Sequence, residues 1–496
     1  MELTLFILCW TPVILLTLLA VVFRRPALEL SVYSLIFTLL LTMFFFNTPL
    51  SVAMLTGLDG VATALPLILV IFTGILLSTL LMTTGSLKRI VDWLMGGVRD
   101  AFHRNLLITL GVSNFMEGAS VIAEPVVAPM LYTAGVSPAG AAALSIIGYS
   151  GLMTLELTGI IITVLSIVTG IPIQELGIAA AWLSIPATLA MAACVPMYLP
   201  EPGGIRGMML TLGSGFFLGI AALGATVFIG VSISGMVAGL ALIFCLILLG
   251  NRKPETNAQV LKDMAPFAFM LVTLLLINII PYLRDLTFRR LTVAVNIIPV
   301  HTVTFQPFFS AYIYLLLAFG LAVYLLKVPK TQVRAVIRTA AGKGWRALLA
   351  MALFGAMGQI IAYSGYAEGF ARLDQAHNIP WVLSHGLKIY TGTLYPAFVP
   401  LLGWVGTFLT GYGVASLMLF GKLQIEAASI LGVSATWLAA GLAVGASVGS
   451  ISSPFKVAMA ASMCNAVGTE GEILRRTIPL GIAASLFIGL ILWIVL

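Results

Sequence analysis

Charge is what this chain has least of. Asp, Glu, Lys and Arg make up 9% of its 496 residues, against roughly 25% in a soluble domain, which excludes an ordinary water-soluble fold. Cysteine is scarce as well. Cys9, Cys194, Cys245 and Cys464 each sit in an apolar run with no CxxC spacing, so neither a disulfide framework nor a thiolate metal site is expected. The four histidines, His103, His301, His377 and His385, all fall in predicted loops, which argues against a histidine relay within a membrane. There is no HExxH, and no G-x-x-x-x-G-K-[ST] that would cradle a nucleotide. An intramembrane enzyme or a nucleotide-driven pump therefore lacks its parts, and no cofactor and no metal are expected. Alternating strands of about ten residues, the mark of a membrane β-barrel, are missing too.

What is present is oil: 60% of the residues are hydrophobic. Apolar runs of about 20 residues, enough to cross a hydrocarbon layer of about 30 Å as helices, recur from end to end. The expected fold is an all-α polytopic membrane protein with about 12 spanning helices plus two re-entrant hairpins in inverted repeats. Helices are predicted over 4–23, 30–46, 64–84, 177–198, 208–230, 232–250, 265–281, 308–326, 345–363 and 477–496. Segments 106–133, 138–170, 394–430 and 434–466 are apolar but interrupted, and basic amphipathic stretches occupy 86–105 and 327–343. The N-terminus lacks a basic n-region and a small-residue cleavage site, so it reads as a retained first helix.

The interruptions come in pairs. Phe115-Met116-Glu117-Gly118 is echoed by Phe408-Leu409-Thr410-Gly411, and Gly135-Val136-Ser137 by Gly432-Val433-Ser434. Thirteen residues after the first glycine of that second motif stands another glycine, Gly148 and Gly445 respectively. Paired, broken hydrophobic segments point to the binding site of a secondary transporter. The expected units are N-terminal helices 1–63, a first repeat 64–200, central helices 201–344 and a second repeat 345–496.

Short loops rich in Lys and Arg face the cytoplasm. Placing the N-terminus and C-terminus outside puts 18 basic residues on the inner side and 5 on the outer, with Lys422 and Lys456 left at membrane depth. In that arrangement helix 64–84 runs inward and helix 345–363 runs outward, so the copies are inverted. Two dips and two broken helices would meet at mid-membrane, where irregular backbone survives only against protein or a wet cavity. Their half-helix N-termini suit an anion.

These segments resemble the L-lactate permease family. Its N-F-L-E-G-A-A-G-F-G-T-P is similar to Asn114-Phe115-Met116-Glu117-Gly118-Ala119 with Pro125, and its Y-S-G to Tyr363-Ser364-Gly365. Its G-W-x-G-x-F-x-T-G is matched by Gly403 to Gly411, its L-F-G-x-L-Q by Leu419 to Gln424, and its G-x-E-G-E-L-x-R-R-T by Gly468 to Thr477. Its I-S-P is echoed by Ser452-Ser453-Pro454. The likeness covers roughly 65–200 and 345–490. The hairpin tips depart from it: G-F-G-T becomes Val121-Ile122-Ala123-Glu124, the polar run after the second tip becomes Tyr412 to Leu417, and Q-N becomes Phe455-Lys456. The resemblance implies a bacterial inner-membrane carrier that moves a small monocarboxylate, a lactate-like 2-hydroxy acid, with protons. The alternative is Na⁺ coupling, or exchange of another anion such as a sulfonate or dicarboxylate. The implied partners are a small organic anion, a proton and the lipid bilayer, with nucleic acid excluded and a homodimer left open.

An ionisable residue inside a membrane segment is expensive unless it has work to do. Glu117, Glu124 and Glu156 are the candidate proton carriers. Glu117 has a structural reading as well, capping the N–H groups of the half-helix that follows. Glu156 could pair with Lys456 of the other copy, neutralising both. Lys456, after Ser452 and Ser453, is the candidate carboxylate ligand. Ser120, Glu124, Ser150, Thr410, Gly411, Tyr412 and Ser416 complete the candidate binding set, although Ser and Thr also pack helix interfaces. Gly118, Gly411 and Gly413 read as hinge or close-approach positions, and Lys422 as a lysine snorkelling to an interface. Single-cysteine accessibility mapping should find residues near 90 and near 370 in opposite compartments. Labelling of both from one side would contradict the inverted arrangement.

Overall fold

The computed structural model describes residues 3–19, 23, 27–96, 100–200, 203–249, 257–411 and 413–496. Among them, ten helices are long and apolar enough to cross a membrane, and three shorter apolar helices accompany them. The chain is an all-α polytopic membrane protein. Large apolar side chains such as Phe44, Ile205, Phe228, Leu248 and Ile494 stand exposed on its surface, as a lipid-facing exterior requires and a soluble one seldom tolerates.

Two stretches of the chain, the first and second copy of the sequence expectation, present their elements in a similar order. Leu50–Thr83 is followed by a short amphipathic helix, Ser86–Met95. A hairpin then rises through Ala101–Leu106, a π-helical stretch Leu107–Val112 and Ser113–Gly118, turns, and leaves through Glu124–Thr133. Pro138–Ser150 and Ile160–Thr169 are the halves of a broken segment, and Ile173–Cys194 closes the series. The second copy runs Lys330–Ala362, Ile379–Thr391, a hairpin of Tyr395–Thr410 and Gly413–Leu431, a broken segment of Ala435–Val448 and Pro454–Met463, and Glu470–Val495.

The leading helices of the two copies pack along each other. Gly57 faces Ile360, Gly60 faces Gly355 and Ala356, and Gly344 faces Ile75. Residue numbers rise along one helix as they fall along the other, so the pair is antiparallel. At Gly60 and Gly355 the backbones themselves touch, and a Cβ on Gly60 would collide with the Gly355 carbonyl. Without a hydrophobic drive between helices in lipid, such close approach of small residues supplies the dispersion that holds them together. The copies also repeat their internal crossings. Gly148 of the first broken segment lies on the Thr109 carbonyl of its hairpin, and Gly445 of the second lies on the Pro400 carbonyl of its own. The copies interlock through their second halves: Pro454–Met463 packs on Glu124–Thr133, and Ile160–Thr169 packs on Gly413–Leu431.

Several sequence expectations change. The helix predicted over 64–84 begins at Leu50. Thr56 and Thr63 bond back to their own helix, and Asp59 Oδ2 finds partners outside it, so these polar residues are accommodated within a helix. Likewise 327–343 and 345–363 join in one 33-residue helix, Lys330–Ala362. The loop between the central helices carries an antiparallel hairpin, Val293–Ile298 with His301–Phe305. His103 and His385 lie in helices rather than loops. The amphipathic Ser86–Met95 helix is tied to Ala258–Ile279 by Arg89, whose Nε and Nη2 reach the two oxygens of Asp263 at 2.6 and 2.8 Å, a two-pronged pairing stronger than a single contact.

Overpacking the closest crossing should unseat the two leading helices. Gly60→Leu is expected to cost at least about 1–3 kcal/mol, read as a lowered Tm of the detergent-purified protein. Gly213→Ala, where an added methyl meets nothing within 4 Å, should leave Tm unchanged.

Candidate functional site

The tip of the first hairpin and the break in the first long segment are both wound the wrong way. Ser120 has φ 58°, and Leu157, Thr158 and Gly159 follow one another at φ 49°, 53° and 74°. Left-handed backbone at non-glycine residues costs of order 1–3 kcal/mol each and clusters where function demands it. The two strained places touch, Ser120 Oγ lying 3.3 Å from Thr158 Oγ1. The turn at 118–123 is strapped by Glu117, whose Oε1 accepts the Ala123 N–H at 2.8 Å. Gly118 is seated on the backbone of Gly235 and Met236 in helix Val231–Leu249, and Gly235 in turn lies against Glu156.

From this tip a hydrogen-bonded chain crosses to the other copy. Tyr149 OH donates to Glu124 Oε1 at 2.6 Å, and Lys456 Nζ donates to Tyr149 OH at 2.9 Å. Lys456 also reaches Ser450 Oγ at 3.3 Å and Met153 Sδ at 3.4 Å, and stands 4.8 Å from the centre of the Tyr149 ring. Its position is fixed by Ser453, which caps the half-helix Pro454–Met463 by accepting the Lys456 N–H. The two breaks are stitched alongside: Ser447 Oγ donates to the Ser150 carbonyl at 2.7 Å and accepts the Thr154 N–H at 3.2 Å. Glu117, Glu124, Glu156, Tyr149 and Lys456 are all buried.

A cavity of about 390 Å³ opens onto this cluster. Glu117, Glu124 and Lys456 form its polar end, and Ile71, Ile75, Met82, Ile122, Met153 and Met459 line the rest. An ammonium group and two carboxyls at the end of an apolar tunnel can hold a small carboxylate and exchange a proton with it.

The structure thus brings Glu117, Glu124 and Lys456 together, with Ser120, Ser150 and Ser453 beside them. It does not join Glu156 to Lys456 by a hydrogen bond: neither Glu156 oxygen has a hydrogen-bond partner, Gly235 packs against the Glu156 side chain, and the Lys456 ammonium spends its donors on Tyr149, Ser450 and Met153. The hydroxyls of the second hairpin are used within it. Thr410 Oγ1 donates to the Gly406 carbonyl at 2.7 Å and Ser416 Oγ to the Gly403 carbonyl at 2.9 Å. Ser452 accepts from Trp404 and donates to the Thr477 carbonyl. Gly411, at φ 82°, ends its helix in the left-handed conformation that favours glycine, and Tyr412 lies outside the described residues. Tyr149 was not singled out by the sequence, although it stands in the Gly148-Tyr149-Ser150-Gly151 interruption. Gly445-Ala446-Ser447-Val448-Gly449 has the spacing of a hydrolase nucleophile elbow, but Ser447 lies on a helix and spends its hydroxyl on stitching the breaks.

Broken membrane helices, a strapped hairpin tip and a buried charged cluster facing a cavity define a membrane carrier rather than an enzyme. A family model described as L-lactate permease matches residues 5–496, and the chain belongs to that family. It is 24% identical to the L-lactate permease of Streptococcus iniae over 457 residues, covering 88% of this chain and 93% of that one. It is 25% identical to the L-lactate permease of Escherichia coli strain K12 over 511 residues, covering 91% and 89%. Over 101 residues, 20% of this chain and 18% of the other, it is 40% identical to glycolate permease GlcA of the same strain.

Removing the bridging hydroxyl tests the cluster. Tyr149→Phe leaves Lys456 and Glu124 without their common partner and should cost about 1–3 kcal/mol, seen as a lower Tm. An unchanged Tm would mean that the bridge contributes nothing to the fold.

Proposed function

We propose that this chain carries a small monocarboxylate, a lactate-like 2-hydroxy acid, together with a proton across a bacterial inner membrane by alternating access. Family membership and relatives named for lactate and glycolate support the substrate class. Both anions offer one carboxylate with a hydroxyl on the next carbon. The observation that carries the reading is the Lys456–Tyr149–Glu124 chain at the end of the cavity. In the loaded state the substrate carboxylate faces Lys456, its hydroxyl takes a place beside Tyr149 and Glu124, and its alkyl end meets Met153 and Ile122.

Charge counting supports the proton. Glu117, Glu124, Glu156 and Lys456 are close enough to interact electrostatically. Three carboxylates with one ammonium would leave excess negative charge in a buried site, and an incoming anion would add to it. Each proton bound removes part of that cost. Glu117 and Glu124 face the cavity and are the proposed carriers, with Glu156 behind them.

The antiparallel leading helices and interlocked half-helices support two inverted units, 64–200 and 345–496, that move against each other. The N-terminus and C-terminus are then outside, and the charged cavity, beside Met82 and Gly344, opens to the cytoplasm.

The test is transport in proteoliposomes. L-lactate counterflow should be saturable, and a pH gradient, alkaline inside, should drive accumulation with no Na⁺ gradient. Glu117→Gln keeps an acceptor for the Ala123 N–H but cannot titrate. It should preserve counterflow while losing accumulation driven by the gradient. Lys456→Ala should raise the KM for L-lactate about 10–100-fold, the equivalent of one charged hydrogen bond. Uptake driven only by Na⁺ would reject the proton.

A further inference from the structure

The antiparallel helix pair has a second cavity at its other end. The charged cavity lies by residues 71–82 of Leu50–Thr83 and by Gly344. The second, of about 400 Å³, lies by Tyr363, just beyond the C-terminus of Lys330–Ala362, where Gly57 faces Ile360. From Gly57, level with the second cavity, to Ile71, the nearest residue of this helix to line the first, the helix rises about 21 Å at 1.5 Å per residue, so the two cavities lie toward opposite ends of the helix pair.

They share two kinds of wall, but Lys456 sits on a post-break half-helix and Lys422 on the second helix of a hairpin. The first is walled by the end of the first copy's leading helix and the post-break half-helix of the second copy, and holds Lys456. The second is walled by the end of the second copy's leading helix and the post-break half-helix Ile160–Thr169 of the first, and holds Lys422. The β-hairpin and the residue after it contribute His301, Thr304 and Gln306 to its lining. The hairpin is pinned there: His301 Nδ1 lies 2.7 Å from Asp59 Oδ2 and its Nε2 3.2 Å from the Ile167 carbonyl, while Gln359 Nε2 donates to the same Asp59 oxygen at 3.1 Å.

Lys422 is half-buried, and its Nζ stands 5.9 Å from the centre of the Tyr363 ring. Among the described residues no carboxylate lies within ion-pair distance of it, whereas Asp59 is taken up by His301 and Gln359. An ammonium that faces a cavity lined in part by hydroxyl and amide groups, beside an aromatic ring and, among the described residues, with no carboxylate within ion-pair distance although Glu426 lies one turn along its helix, suits a small anion. The approach favours anions too: Arg284, Arg289 and Arg290 lie in the segment that brings Phe288 to the cavity, against Asp285 alone.

We propose that this cavity is a second carboxylate-binding site, an entrance vestibule in which Lys422 holds the anion before it reaches the Lys456 cluster. The identity of the anion rests on the transport reading above; the site itself rests on the cavity and its unpaired lysine. Lys422 is then a recognition residue, and its snorkelling stem is what lets the charge reach the vestibule.

The test labels a cysteine in the vestibule wall. In detergent-purified protein, Thr304→Cys should react with a charged maleimide, and L-lactate, but not an equal concentration of chloride, should slow the reaction at least threefold. The protection should persist in Lys456→Ala and disappear in Lys422→Gln, with Lys422→Arg restoring it. Lys422→Gln should also raise the KM for uptake about tenfold and leave kcat within twofold. Absence of protection, or protection that survives Lys422→Gln, overturns the proposal, as does protection lost in Lys456→Ala. Failure of the transport reading shows separately, as absence of L-lactate counterflow by the wild-type protein whatever the labelling result.

Discussion

A lysine buried at the middle of a membrane protein has to be compensated, and the compensation of Lys456 ties the two halves of this chain together. Its ammonium sits on the half-helix of one copy and reaches across to Tyr149 and, through it, to Glu124 of the other. A buried charge that loses its partners costs several kcal/mol, so the two breaks are held in register by electrostatics as much as by packing. The strap from Glu117 to Ala123 and the stitch from Ser447 to Ser150 then place the remaining polar groups around the same point. In the proposed cycle a substrate carboxylate shares that lysine, which loosens the link between the halves at the moment of loading.

The framework around the cluster is made of glycine contacts. Gly60 on Gly355, Gly148 on Thr109, Gly445 on Pro400 and Gly118 on Met236 all bring backbone against backbone. Such contacts hold the helices at close range through dispersion, and in the proposed alternating access they would let two units rock against each other. The wrong-handed turn at Leu157–Gly159 keeps strain at the joint between the halves of a broken segment.

Much of this was legible in the chain. Rare charges in apolar runs marked Glu117, Glu124 and Lys456, and the repeated Gly-Val-Ser spacing marked the two breaks. Tyr149 was not legible, because tyrosine is common in membrane proteins and only the tertiary fold places it between Lys456 and Glu124. Residues 50–63, which hold Gly57, Asp59 and Gly60, fall in none of the predicted spans. Two of these are helix-contact glycines, and Asp59 is hydrogen-bonded to His301, more than 240 positions away in sequence. The hydroxyls of Thr410, Ser416 and Ser452 are candidate ligands by composition, and the sequence did not reveal that each donates to a carbonyl of the protein. The β-hairpin carried a visible alternation, Val293 and Val295 against Val303 and Phe305, hidden by its position between membrane helices.

The central claim is that the buried cluster crosses the membrane without excess charge, one proton travelling with each anion. Net charge moved per turnover measures this directly. With reconstituted protein on a solid-supported membrane, an L-lactate concentration jump should produce substrate flux with no sustained current. A sustained current whose sign follows the anion would contradict the account.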